Sequence, residues 1–246
     1  MALHFIQPNW PAPANVKTIQ TTRQGGVSLP PYASLNLAMH VGDAAAAVKE
    51  NRQLLRPFLP SEPVWLNQVH GVAVLDAAMV RGVPDADATF STQANVVCVT
   101  MTADCLPILL CDKAGTVVAA VHAGWRSLCD GVIEAAVAKM AVAPSEILAW
   151  LGPAIGPAAF EVGLEVRAQF MQHDSQAALA FKAHGDKWLA NLYVIAKQRL
   201  NALGVQGIYG ASMQQDFCTH TDAARFFSFR RDRLTGRMAS LIWLSA

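Results

Sequence analysis

Three side chains able to ligate a metal stand at the ends of apolar runs: His70 in WLNQVHG, Cys105 in MTADCLP and His122 in AAVHAGW. Each is followed within two residues by Gly or Pro, so each run stops there and its last side chain can enter a shared crevice. Taken singly, each residue has an ordinary reading, the histidines as hydrogen-bonded core groups and the cysteine as packing. Together they form a two-His, one-Cys set, donor types that suit zinc and leave a fourth position open for water or substrate. The wide separations (70 to 105, 105 to 122) are unlike the C-x2-C pairs of structural zinc sites, and are compatible with a site assembled from separate strand ends. The same atoms would also serve as a nucleophile pair, with Cys105 as thiolate and one histidine as base. Residue type and spacing leave both open.

Asp104, adjacent to Cys105, is placed to orient it, to transfer a proton, or simply to cap a turn. Arg225, Arg230, Arg231, Arg233 and Arg237 crowd the stretch FFSFRRDRLTGRM and its approach. They read either as a solvated hairpin with surface ion pairs or as an oxyanion clamp, because guanidinium forks match phosphate oxygens. Arg23 in TTRQGG and Arg126 in HAGWRSL are rival anion binders, with Ser34 and Asn36 in ASLN as polar helpers. The H-x-E/P-C-x-x-C deaminase pattern, the phosphate-binding G-x-x-x-x-G-K-[ST], the dinucleotide G-x-G-x-x-G and the G-x-S-x-G elbow are all missing from the sequence.

The chain that must position these groups has 246 residues, 53% of them hydrophobic and 15% charged, as expected of a compact globular protein. The length favours one domain spanning 1–246. A net charge of +1 leaves no electrostatic footprint for nucleic acid. No segment approaches the ~20 uninterrupted apolar residues of a membrane span. MALHFIQPNWPAPANV has no basic region followed by an apolar run, so a cytoplasmic location is expected. In a reducing compartment the odd set of five cysteines is not a disulfide framework, and Cys111 reads as a packing cysteine.

TIQTTRQGGVSLPPYASLNLAMHVGD reads as a short strand and a long structured loop. Asp43 is the expected N-cap of a helix through AAAAVKENRQLLRPFL, with Pro57 and Pro60 marking its end. The β-rich runs VWLNQVH, VAVLDAA, NVVCVTMTAD, LPILLCD and GTVVAAVHAG predict strands, several buried on both faces. SLCDGVIEAAVAKMAV predicts one helix ending before Pro144, and SEILAWLGPAIGP a further strand. Helices are expected over Leu164–His173 and Lys187–Leu203, followed by QGIYGAS and a hairpin of FFSFRRD and RMASLIWL around Arg233–Gly236. Helices and strands do not alternate regularly. The pattern predicts an α+β fold with more than one β layer, not a doubly wound sheet.

LNQVHG, TADCLPILL, HAGWRSL, GPAIGPAAFEVG and FFSFRRDRLTGRMAS, in that order, closely resemble the laccase-domain family. That family is also described as polyphenol oxidases, peptidoglycan-editing factors and purine nucleoside phosphorylases. The likeness runs from about Thr21 to Trp243. It implies a single α+β domain with a central, sandwich-like set of mixed sheets flanked by outer helices. It also implies a zinc site at His70, Cys105 and His122. The implied activity is phosphorolysis of adenosine, inosine and methylthioadenosine to base and ribose 1-phosphate, with some adenosine deamination.

On that reading Arg23 and Arg230 or Arg231 hold phosphate, and purine nucleosides and phosphate are the partners. The resemblance also carries a copper-oxidase label. Multicopper oxidases use repeated H-x-H pairs, and this chain has seven scattered histidines and no H-x-H. A four-copper centre is therefore hard to build, although adventitious Cu(II) binds such donors more tightly than zinc. Two rivals from other classes are a hydrolase of cell-wall precursors using a Cys105–His pair, and a binding module that uses zinc only to fold.

Overall fold

The computed structural model describes residues 3–210 and 217–246. Two stacked sheets form its centre. The first is antiparallel, in the order β1 (Phe5–Ile6), β2 (Val16–Thr21), β13 (Met238–Leu244) and β5 (Cys98–Thr102). The second, six-stranded and mixed, runs β12 (Gly207–Gly210), β8 (Ile147–Leu151), β6 (Leu106–Asp112), β7 (Val118–Ala123), β4 (Ala88–Ser91) and β3 (Val74–Asp76). Its outer pairs β12–β8 and β3–β4 are parallel. A small antiparallel sheet of β10 (Phe181–His184), β11 (Lys187–Ala190) and β9 (Glu161–Val162) lies apart from both.

The continuous apolar runs of β6, β7 and β8 follow from burial on both faces. Alternation sends Leu109, Cys111, Val118, Ala120 and Trp150 toward Cys98 and Ile242 of the first sheet. Ile108, Leu110, Ala119, Val121 and Ala149 go the other way, against helices α3 (Val132–Met140), α4 (Leu164–His173) and α5 (Leu192–Leu203). Beyond the first sheet, Ile19, Val99, Met101 and Leu241 meet Leu35 and Leu37 of the long loop and Leu55 of helix α1 (Ala45–Leu55). Burying one such leucine contributes about 1.5–3 kcal/mol. All five cysteines are free, and among the described residues no helix is long and apolar enough to cross a membrane.

The α+β expectation with layered mixed sheets and outer helices holds, and the helix over Leu164–His173 is present as α4. Elsewhere local chemistry overrides periodicity. VWLNQVH is not a strand: Val64 and Asn67 make only isolated bridges, and the amides of residues 69–71 bond a carboxylate instead of a neighbouring strand. The single helix expected over SLCDGVIEAAVAKMAV is broken into α2 (Trp125–Asp130) and α3 at Gly131, whose φ of 101° ends the first and starts the second. The helix expected from Lys187 starts only after Asn191, whose side chain caps it by accepting from the amides of Tyr193 and Val194; Lys187–Ala190 is β11.

Asp43 does not cap α1, whose N-cap is Ala44; its carboxylate accepts from the Ser28 hydroxyl and the Asn36 amide and so closes the long loop. FFSFRRD forms no hairpin arm. Its last residues are the turn α6 (Phe229–Asp232), capped by Ser228 Oγ, and β13 pairs with β2 and β5 instead. The last two residues of QGIYGAS lie outside the described residues.

Candidate metal centre

Cys105 lies on the link that carries the chain from β5 in one sheet to β6 in the other. His122, in phase with Val118 and Ala120, projects from β7 on the side that faces the first sheet. His70 arrives from a loop. The three side chains therefore meet where the two sheets end together, and their donor atoms all lie within 4.8 Å of one another. Cys105 Sγ is 3.7 Å from His70 Nε2, and the two imidazole centroids are 4.8 Å apart. Zinc bonds of about 2.0–2.3 Å put tetrahedral ligand atoms roughly 3.3–3.8 Å apart, so the cluster is close to ligating geometry as it stands.

Asp87, fully buried just ahead of β4, holds the set in place. Its carboxylate accepts from the backbone amides of Val69, His70 and Gly71, which shapes the loop carrying His70. The same carboxylate meets His122 Nδ1 at 2.8 Å, leaving Nε2 to face Cys105 and His70. Burial alone would raise the pKa of Asp87. Its bonds to His122, Gly71 and His70 win, and its pKa is lowered. Burial likewise opposes a Cys105 thiolate, but the charge and hydrogen bonds of His122 and those of His70 outweigh it and bring the thiol down to about 6. His122, disfavoured as a cation by burial, is raised by Cys105 and Asp87. A thiolate stabilised in this way suits a metal ligand and equally a thiolate–imidazolium pair.

Two residues of the centre sit in the left-handed region, His70 at φ 60° and Asp104 at φ 94°. For side chains other than glycine this costs on the order of 1–3 kcal/mol and persists where the surroundings enforce it. Gly124 has a different constraint: a Cβ there would lie 2.5 Å from His70 Cδ2 and 3.3 Å from Cys105 Sγ. Only glycine lets the chain pass this close.

The cluster opens into a cavity of about 560 Å³. Arg126, Arg230, Arg233 and Arg237 line it, as do the aromatic faces of Trp125, Phe160 and Phe229. Arg230 is set from both ends: its amide donates to Asp104 Oδ2 (2.6 Å) and its guanidinium to the Glu161 carbonyl (2.8 Å). Asp104 Oδ1 accepts from the Thr219 hydroxyl (2.6 Å), so the carboxylate ties the Cys105 link to the arginine-rich turn. Arg126 stacks over Trp125 at 4.3 Å. Arg237 donates to the Thr235 and Gly236 carbonyls; burial lowers its pKa, while Cys105 and Asp104 work to raise it.

The other sequence candidates stand elsewhere. Arg23 is outside the cavity lining, donating to the carbonyls of Ala33 and Ala223 and lying over the Phe227 ring. Ser34 accepts from the Gly26 amide within the same loop. Arg231 clamps the carbonyls of Thr219, His220 and Phe226, and Asp232 pairs with it. Asn36, fully buried, does not line the cavity but accepts from the Arg237 amide. Sequence reasoning missed Asp87, together with the cavity residues Phe160, Trp125 and His40. The one signal for Asp87 was an acid inside PDADATF, flush against a strand with no neighbouring base in sequence.

A family model described as "Multi-copper polyphenol oxidoreductase laccase" matches residues 17–245. The chain is 56% identical to "Purine nucleoside phosphorylase YfiH" of Shigella flexneri, covering 98% of each chain, and equally so to the protein of that name from Escherichia coli (strain K12). Its fold is similar to the crystal structure of Neisseria meningitidis protein NMB0706, with a TM-score of 0.94, 50% identity and coverage of 98% and 99% of the two chains.

Proposed function

The chain belongs to the multi-copper polyphenol oxidoreductase laccase family, and from that premise we propose that it is a zinc-dependent purine nucleoside phosphorylase. Adenosine, inosine and methylthioadenosine are its substrates on this reading, with adenosine deamination as a minor activity. The observation that carries the proposal is the joining, in one cavity, of a Cys/His/His cluster with four arginines and three aromatic faces. The names of relatives 56% identical over nearly the whole chain point the same way.

In phosphorolysis a phosphate oxygen forms a bond to the anomeric carbon as the glycosidic bond to the purine breaks, and the electron pair leaves with the base, which takes up a proton. A mono- or di-anionic phosphate nucleophile requires concentrated positive charge, and Arg126, Arg230, Arg233 and Arg237 supply it as forks suited to phosphate. Asp104 does not need to move a proton in this scheme. Both its oxygens are occupied, and it holds Arg230 in register with Cys105. Trp125, Phe160 and Phe229 provide apolar faces on which a purine can stack. His70, Cys105 and His122 would hold the metal, which when bound supplies a Lewis acid toward a substrate oxygen.

Zinc is preferred over copper as the resident ion because two imidazoles and a thiolate with an open position match a catalytic zinc site. Among the described residues no histidine-rich cluster accompanies this one, and the chain has only seven histidines. A multicopper electron-transfer centre lacks its ligands. Zinc-loaded protein incubated with adenosine and inorganic phosphate should release adenine and ribose 1-phosphate in equal amounts. Phosphate-independent release, or none, would sink the reading.

A further inference from the structure

A second set of ligating groups lies away from this cavity. Cys129 and Asp130 end α2, and His173 ends α4; their thiol, carboxylate and imidazole donor atoms all lie within 4.8 Å of one another. We propose that Cys129, Asp130 and His173 form a second divalent-cation site, selective for zinc-class ions. One thiolate and one imidazole favour a borderline-soft ion, and a single carboxylate is too few hard oxygens for calcium or magnesium.

The arrangement suits capture of an ion from solution. Cys129 is almost fully buried (1% exposed) and fixed by its helix, whereas Asp130 and His173 are exposed and free to swing onto an ion. The ion displaces one proton from the Cys129 thiol and takes His173 as neutral imidazole. His173 lies in the last turn of α4, where free carbonyls favour a cation. Arg199, which donates to the Cys129 carbonyl and pairs with Glu134, favours the Cys129 thiolate against the burial that disfavours it.

Its position gives it a consequence. α2 begins with Trp125 and Arg126, and the start of α4 contributes Glu165 and Val166; all four line the cavity. An ion bridging the far ends of these two helices ties those parts of the cavity wall together.

The test is equilibrium dialysis of metal-free protein against zinc, at free zinc matched to the protein concentration, with metal counted by mass spectrometry. Wild type should hold two zinc ions per chain, and Cys129→Ser and His173→Ala one each. In cobalt-loaded Cys105→Ser protein, a thiolate-to-cobalt charge-transfer band should persist and should vanish when Cys129→Ser is added. One zinc in wild type, or two in His173→Ala, would overturn the site. So would a Cys105→Ser protein without the cobalt band. His173 is exposed, so His173→Ala does not depend on how the core tolerates a serine at position 129.

Discussion

Asp87 Oδ1 lies 2.8 Å from His122 Nδ1, with the carboxylate fully buried and the imidazole at the edge of the cavity. This single carboxylate fixes the ring of one candidate ligand and, through three backbone amides, the loop that delivers another. Asp87→Ala should weaken zinc affinity about 10- to 100-fold, the usual cost of losing such an outer partner. A competition titration against a zinc-binding dye reads it, and unchanged affinity would remove Asp87 from the account.

Gly124→Ala tests the close passage of the HAGW turn. Its methyl group would collide with the His70 ring, and neither the buried strand end nor the loop held by Asp87 can yield freely. Overpacking of this kind costs about 1–3 kcal/mol. Both the urea midpoint and the zinc stoichiometry should fall; a variant with normal metal content would show that the loop adapts.

Arg230 and Arg231 are neighbours with different tasks. Arg230→Ala should raise KM for phosphate on the order of 10- to 100-fold, the worth of a hydrogen bond to a charged group. Arg231→Ala removes a clamp on three carbonyls, so lowered stability with little change in that KM is expected. Steady-state kinetics with phosphate varied at saturating nucleoside, beside thermal melts, separates them. Equal kinetic defects would contradict the division.

Removing metal separates a catalytic role from a purely structural one. Chelated protein should lose phosphorolysis yet keep its far-UV spectrum, because the two packed sheets do not depend on the cluster for their core. Activity should return on adding zinc. Global unfolding on chelation would instead support a folding role for the metal.

Asp112 gives a pH test away from the metal centre. Burial disfavours its charge, but the Thr116 hydroxyl and the amides of Thr116 and Val117 donate to it and lower its pKa. With the folded value below the unfolded one, its stabilisation is full above about pH 4 and fades as pH falls through the folded pKa. Asp112→Asn should cost about 2 kcal/mol near neutrality and progressively less in acid. Urea midpoints of both proteins across that range check it, and a constant gap would contradict the assignment.

The sequence by itself determined the β-rich layers and picked out His70, Cys105 and His122 as a candidate metal-ligand trio. Runs such as LPILLCD and GTVVAAVHAG can be satisfied only by burial on both faces, and three ligating side chains at the ends of apolar runs are visible without coordinates. The resemblance carried by the ordered motifs supplied the expected chemistry. It did not reveal which arginines reach the cavity, because Arg230, Arg231 and Arg233 are close in sequence while a helical turn sends Arg230 and Arg233 to the cavity and Arg231 elsewhere.

Only the tertiary structure decided the rest. Asp87 became the keystone of the centre because strand pairing brings it against His122, 35 positions away in the chain. Cys129 gained His173 as a neighbour because α2 and α4 dock side by side. Local pattern encodes what a residue must hide from water. Which polar groups meet depends on contacts between distant segments, and those exist only once the sheets and helices have closed on one another.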